Sequence, residues 1–173
     1  MSLLTRPVRP NVLLYAGWGL FALSMTLPSV WMPEYLGVPA GHVAGAVCAW
    51  VAALNLGDLL AMTADSYMGL LTLANVLLAS SLLWRRRARG EVWPAVAFVA
   101  ATAAVAGTPL VFARSSSSLL SSLVFSWGYY VWLLAFAFVA AHFAAHVRRR
   151  AEDRLEGKDH PTAAGPEGML ITP

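Results

Sequence analysis

The chain has 173 residues, of which 58% are hydrophobic and 12% are charged. Soluble domains carry about 25% charged residues, so this chain has too little polar surface to cover a soluble globule. Its net charge of +3 does not indicate a nucleic-acid partner, because the arginines stand at the ends of long apolar runs, where they hold helix ends among lipid headgroups. The composition therefore favours an integral membrane protein.

The first half of the chain predicts one membrane helix and one ambiguous helix. Residues 12–32 form an apolar run that we interpret as a first membrane helix rather than a signal peptide, and two prolines mark its far end. Residues 33–42 are a loop with two prolines and two glycines. Residues 42–62 are also typical of a helix, but polar residues and a glycine interrupt the second half of this stretch.

Three further apolar runs predict membrane helices at residues 66–84, 92–113 and 123–146. A polar loop at 114–122 separates the last two, and residues 151–173 form a polar tail that we expect outside the membrane. Two arginine clusters follow the first and the last of these runs, and we interpret them as cytoplasmic anchors. The clusters are Arg85, Arg86, Arg87 and Arg89, and Arg148, Arg149 and Arg150.

The distribution of basic residues indicates whether residues 42–62 cross the membrane, since cytoplasmic loops carry an excess of Lys and Arg. If residues 42–62 do not cross, the N-terminus, the 85–91 loop and the tail share one side, and the basic residues divide 11 to 1 between the two sides. If residues 42–62 cross, the division is 9 to 3. The sequence therefore predicts four crossings with both termini cytoplasmic, and five crossings are the alternative.

Four features between residues 12 and 146 form a loose pattern. They are Gly41, Trp50, the Ala74-Asn75 pair that opens a leucine-rich segment, and the run GYYVWL at residues 128–133. The pattern resembles that of uncharacterised small multi-pass bacterial inner-membrane proteins. The resemblance implies a multi-pass helical protein of the inner membrane, and it implies no activity.

Small residues recur at every fourth position through the ambiguous helix. Such stripes let helix backbones approach closely in lipid, so the pattern predicts close packing against another helix of this chain or of a second subunit. Chance is the alternative, because the chain is rich in alanine. The helix-packing stripe consists of Gly41, Gly45, Ala49, Ala53, Gly57 and Ala61.

A few polar side chains fall within or beside the apolar segments. A carboxylate inside a membrane is costly and is often functional, so Asp58, together with Asn55 and Asn75, is a candidate for a polar pathway. The alternatives are structural, because Asp58 can face water at the membrane surface and Asn75 can bond across helices. Asp65 suits the N-cap of the helix that follows it.

His142 and His146 are four residues apart and therefore lie on one helix face. Histidines at this spacing are candidates for a zinc or haem site, but the sequence places no third zinc ligand near them, and we prefer to interpret them as interfacial residues. Cys48 is the only cysteine, which excludes an intramolecular disulfide and a multi-thiolate metal site. We therefore predict no catalytic residue, no metal and no cofactor.

The sequence thus predicts an all-α membrane protein with four transmembrane helices and one interfacial or re-entrant helix on the outer side. Residues 1–150 form one transmembrane domain, followed by the cytoplasmic tail. Because little of the chain lies outside apolar segments, we expect a non-catalytic structural, assembly or accessory subunit of a membrane complex. The alternatives are an oligomeric pore or channel-forming effector, and a membrane redox or metal-binding subunit. The expected partners are the lipid bilayer and either a second copy or another membrane protein.

Cysteine labelling tests the predicted topology. After Cys48→Ser removes the native thiol, single cysteines at positions 5, 38, 64, 88, 117 and 160 report the side that each position faces. We expect labelling of 5, 88 and 160 from the cytoplasm and of 38, 64 and 117 from outside, because basic residues are retained on the cytoplasmic side. Labelling of 38 and 64 from opposite sides would instead establish that residues 42–62 cross.

Overall fold

The computed structural model of the protein describes residues 10–34, 39–54, 66–87, 91–115 and 118–155, most of which are helical. The first half contains helix α1 (Pro10–Thr26), strands β1 (Pro28–Met32) and β2 (Gly41–Ala44), and helix α2 (Gly45–Leu54). The second half contains helices α3 (Ser66–Arg87), α4 (Val92–Ala113) and α5 (Ser118–Ser121), strand β3 (Val124–Phe125) and helix α6 (Trp127–Leu155). The helices form a bundle with a small sheet at one end.

Helix α6 lies at the centre of the bundle, because α1 and α4 both pack along much of its length. On α1, Gly17 lets the two backbones approach, since a Cβ placed there would lie 2.7 Å from Val139 Cγ2. On α4, the ring of Phe98 stacks on Phe143 with the centroids 5.1 Å apart. Such close van der Waals contact holds helices together even where no water is displaced. The fully buried apolar side chains include Leu14, Leu78, Phe98, Val105, Phe136 and Val139.

Paired contacts show that both α1 and α4 run antiparallel to α6. Phe98, early in α4, contacts Phe143, late in α6, whereas Val105, later in α4, accepts a hydrogen bond from a residue at the start of α6. The middle of α1 contacts the middle of α6, and the residue after α1, Leu27, lies against Gly128 at the beginning of α6.

Helix α3 runs antiparallel to α4. The hydroxyl of Tyr67, at the start of α3, lies 3.4 Å from the hydroxyl of Thr108, late in α4. At the other end of the pair, the rings of Trp84 and Trp93 meet edge to face with the centroids 4.6 Å apart. The α3–α4 connection therefore lies at the end of the bundle where α4 begins.

These directions define two ends of the bundle. At the arginine end, α1 and α4 begin and α3 and α6 finish, so residues 85–87 and the cluster that starts at Arg148 lie on that side. At the sheet end, α1 and α4 finish and α3 and α6 begin. Arg114, which directly follows α4, lies at the sheet end.

The sheet end takes its name from three antiparallel strands in the order β2-β1-β3. Val30 in the central strand pairs with Val43 on one side and with Phe125 on the other. Pro28 ends α1, because proline cannot donate a backbone N–H to the helix and disfavours a helical conformation of the preceding residue. The aromatic and β-branched residues that follow then favour extended chain. The register between β1 and β2 is irregular at Ser29.

The sheet departs from the predicted all-α architecture. Residues 28–32, which we predicted as the end of the first membrane helix, form β1 instead, because their backbone groups pair with two other strands. Of the helix predicted at 42–62, residues 42–44 belong to strand β2 and Gly45–Leu54 form α2. The remainder of that stretch lies outside the described residues.

The later helices lie closer to their predicted positions. Helix α3 contains the predicted segment 66–84 and adds one turn, and α4 coincides with 92–113. The loop predicted at 114–122 contains the short helix α5. Helix α6 begins at Trp127 rather than at 123, since β3 pairs with β1, and it continues to Leu155, beyond which the tail is outside the described residues.

Two helices of the described chain, α4 and α6, are long and apolar enough to cross a membrane. Helices α1, α2 and α3 contain shorter apolar segments. The hydrocarbon core of a bilayer is about 30 Å thick and a helix rises about 1.5 Å per residue. The 10 residues of α2 therefore reach only about half of that thickness.

Substitution of Gly17 tests the α1–α6 contact. Gly17→Leu should lower the free energy of unfolding by about 1–3 kcal/mol, the usual penalty of overpacking, because its Cβ meets Val139 and the carbonyl of Ala135. Gly19→Leu is the matched control on the same helix, since nothing lies within 4 Å of a Cβ built there. Thermal unfolding in one detergent compares the two variants. Equal stability of both would contradict the packing of α1 on α6.

Candidate functional site: an apolar cavity beside the sheet

Three segments of the chain come into very close contact where α1 passes into the sheet. A Cβ on Gly45 would lie 2.2 Å from the carbonyl oxygen of Ser24, and a Cβ on Gly128 would lie 2.5 Å from the hydroxyl of Ser29. The backbone N–H of Gly45 also donates to the carbonyl of Leu27 at 3.0 Å. Only glycine leaves room at these distances, so a side chain at Gly45 would push α2 away from the end of α1, and one at Gly128 would push α6 away from β1.

A cavity of about 210 Å³ lies beside this contact. Each of the nine helices and strands named above contributes to its wall, which is mostly apolar and, in the part of the chain that the structure describes, contains no charged side chain. The cavity therefore depends on the assembled fold and belongs to no single local segment. Representative wall residues are Met25, Val30, Cys48, Leu71, Phe112 and Phe125.

Several polar side chains in the wall bond to protein groups. Trp132 of α6 donates its indole N–H to the amide oxygen of Asn75 on α3 at 3.0 Å. The hydroxyl of Ser24 donates to the carbonyl of Phe21 at 2.7 Å. These bonds satisfy polar atoms at a surface that is otherwise apolar.

Tyr129 is another polar residue of the cavity wall. Its hydroxyl supplies a hydrogen bond that Pro109 cannot make. Pro109 lies inside α4 and has no N–H to donate to the carbonyl four residues earlier, which is that of Val105. Tyr129 of α6 donates its hydroxyl to this carbonyl at 2.6 Å, and the side chain is 4% exposed. The helix can therefore continue through Pro109 to Ala113 without leaving a buried acceptor unsatisfied.

The cavity offers a ligand mainly van der Waals contact. Its apolar wall matches an uncharged hydrocarbon group, whereas a charged group would lose its hydration without a counter-charge. The arrangement is therefore one for holding an apolar group.

The residues of the predicted helix-packing stripe have different surroundings. Gly45 makes the close contact with Ser24, and Ala49 lines the cavity. Gly41 lies in strand β2, and Ala53 is exposed on α2. The buried face of α2 consists instead of Gly45 and Ala52, with Cys48 and Ala49 partly buried beside them. Gly57 and Ala61 lie outside the described residues.

The candidate polar pathway is only partly described. Asn75 is partly buried in α3, where its amide oxygen accepts the bond from Trp132 across the helices. Asn55 and Asp58 lie outside the described residues, as does the proposed N-cap Asp65. A pathway through these residues stays a prediction.

The two candidate metal ligands do lie together. His142 is buried, and its ring contacts that of His146 with the centroids 4.7 Å apart and the planes at 84°. The ring of Phe143 lies 4.9 Å from His142. Within the described ranges, no group of three histidine, cysteine, aspartate or glutamate side chains could hold a metal ion.

The predicted cytoplasmic anchors lie at the arginine end. Arg148, Arg149 and Arg150 are exposed on the last turns of α6. The guanidinium Nε of Arg148 lies 2.7 Å from a carboxylate oxygen of Glu152, an exposed pair that contributes little to stability. Arg85, Arg86 and Arg87 form the end of α3, and Arg89 falls in a part of the chain that is not described.

Sequence reasoning did not find Ser29, Gly128 or the role of Tyr129. Pro109 was a usable signal. It has no backbone N–H to donate to the carbonyl of Val105, so that carbonyl needs a donor from outside the helix. Which donor supplies that bond depends on the packing of α4 on α6. The contact of Ser29 with Gly128 had no local signal at all.

No family model matches the chain, and comparison with the curated proteins and with the solved structures found no match.

A pair of substitutions tests the bond from Tyr129 to the carbonyl of Val105. Tyr129→Phe should lower the free energy of unfolding by about 1–3 kcal/mol, because it leaves a buried acceptor without a donor. Adding Pro109→Ala restores an N–H that can bond Val105 within α4, so the double variant should recover much of this loss. Thermal unfolding of the two single variants and the double variant measures the coupling. Strictly additive effects would show that Tyr129 does not compensate for Pro109.

Proposed function

We propose that this protein is an integral membrane protein that crosses the membrane four times. The exposure of its apolar side chains supports the proposal. Only 28% of the apolar window in α4 and 33% of that in α6 are buried, whereas the core helix of a soluble protein is mostly buried. When many large apolar side chains along two helices remain exposed, they face lipid or a partner protein. They include Val96, Val99, Leu110 and Leu134.

The directions of the helices support a cytoplasmic location for both termini. Helix α1 begins, and helix α6 finishes, at the arginine end, where the α3–α4 connection also lies. That arrangement collects both arginine clusters on one side, and Arg114 lies at the sheet end. By the positive-inside rule the arginine end is cytoplasmic and the sheet end is outside.

We propose that residues 42–62 do not cross the bilayer. Strand β2 lies at the sheet end, and Tyr67 at the start of α3 is near the same end, since its ring contacts that of Phe112 with the centroids 6.0 Å apart. Phe112 in turn contacts Phe125 of β3. The described residues on both sides of this stretch thus lie at one end of the bundle, and α2 is an interfacial or re-entrant helix between them.

Within the membrane, we propose that the protein acts as a non-catalytic accessory or assembly subunit of a membrane complex. The outward face of α2 carries this proposal. Val47, Trp50, Val51 and Leu54 are all exposed, and their spacing of three and four residues places them on one stripe. Tryptophan is enriched among the few residues that dominate protein interfaces. We assign this stripe to the contact with another membrane protein.

Substitution of Trp50 tests the assigned contact. In a mild detergent the protein should migrate in a complex larger than its own 18.5 kDa, together with another membrane protein. Trp50→Ala should release it from that complex, because truncation of a central interface residue costs about 2 kcal/mol or more of binding. Trp127→Ala is the matched control, since Trp127 belongs to α6 and not to the stripe and is 78% exposed, compared with 66% for Trp50. Equal retention of both variants would contradict the assignment.

Other results of the same isolation would favour the alternatives. A complex of identical copies that conducts ions in vesicles would replace the accessory function with an oligomeric pore. Bound zinc or visible absorbance that disappears in the variant His142→Ala, His146→Ala would replace it with a metal-binding or redox subunit.

A further inference from the structure

We propose that the cavity beside the sheet binds one acyl chain of a membrane lipid from the outer leaflet. The inference rests on the proposed membrane insertion and goes beyond the proposed accessory function. It assigns an occupant to a space that the fold builds from all of its described elements.

The size and chemistry of the cavity fit part of a hydrocarbon chain. Its volume of about 210 Å³ exceeds the roughly 150 Å³ of an engineered apolar cavity that binds benzene. Water is a poor occupant, because a buried water needs two or more hydrogen-bonding partners. Ser24 and Asn75 in the wall already bond within the protein.

The energetic reason for occupation is the cost of an empty cavity. Within a bilayer an acyl chain gains no hydrophobic free energy by moving into protein, since lipid is equally apolar. An unfilled cavity, however, deprives its wall of van der Waals contacts in proportion to its size. Acyl chains are the most abundant apolar groups around a membrane protein, so we expect one of them to fill the cavity and restore those contacts.

The position of the cavity gives a lipid chain a route of entry. Val51 lines the cavity and is also 42% exposed on the outward stripe of α2. The surface beside it, formed by Val47 and Leu54, is apolar and exposed. Before a partner protein covers the stripe, a chain can therefore enter from the surrounding lipid along a continuous apolar path, while the headgroup stays at the outer surface near the sheet.

Photo-crosslinking of the full chain tests the proposal. The protein is reconstituted in vesicles that contain phosphatidylglycerol with a diazirine on its acyl chain, and adducts are located by peptide mass spectrometry. We expect adducts on the cavity residues Met25, Cys48 or Leu71, as well as on the outward residues Val96 and Val99 of α4. Adducts on α4 alone would overturn the cavity proposal and leave membrane insertion intact. Adducts at neither place would contradict membrane insertion as well.

Two alanines of α2 provide a matched pair of variants. Ala49 lines the cavity, so Ala49→Phe should fill it and lower the yield of cavity adducts at least about tenfold, which corresponds to about 1.4 kcal/mol of lost binding. Ala46 is exposed on the same helix, and Ala46→Phe should leave the yield unchanged. Equal yields in the two variants would overturn the proposal.

A second measurement uses the unaltered protein, so it does not depend on whether Ala49→Phe folds. Cys48 is the only cysteine and lines the cavity. Its alkylation by N-ethylmaleimide in lipid-free detergent should slow severalfold when phosphatidylglycerol is added, because the lipid chain and the reagent compete for one space. An unchanged rate would overturn the proposal.

Discussion

The close backbone contact between the end of α1, α2 and the start of α6 is the constraint on which the rest of the structure depends. Gly45 and Gly128 approach Ser24 and Ser29 at distances that exclude any side chain. This contact brings the residues just after β3 against β1, which pairs with β3 in the sheet, and it holds α2 against the end of α1. The cavity lies beside the contact, and its wall includes residues of the strands and of α2 as well as of the long helices.

A second constraint acts on α4 and is the consequence of one proline. Pro109 leaves the carbonyl of Val105 without its helical donor, and Tyr129 supplies that donor from α6. Further along the chain, Trp132 bonds Asn75 and thereby joins α6 to α3. Polar atoms that would be costly in an apolar interior thus bond one helix to another. These bonds fix the direction in which α6 presents its aromatic rings to the cavity.

The packing of the helices also determines where the charged and the apolar surfaces lie. Antiparallel packing brings both arginine clusters to one end, and the exposed valines and leucines of α4 and α6 lie between the two ends. The same packing places both β2 and the start of α3 at the sheet end. The membrane orientation proposed above uses both the charge count in the sequence and the directions of the helices. The outward stripe of α2 and the cavity behind it then place two candidate binding surfaces on a single short helix.

The sequence by itself determined the mostly helical class and the positions of α3 and α4, because apolar runs bounded by arginine and proline are local signals. It also determined that Asn75 needs a partner. Only the tertiary structure decided what that partner is, where α1 gives way to β1, and which small residues lie in tight contact. The sheet pairs residues far apart in the chain, and a strand of five residues in an apolar run has no periodicity that separates it from a helix. The cavity could not be predicted at all, since its wall is drawn from nine elements and its shape depends on how they pack.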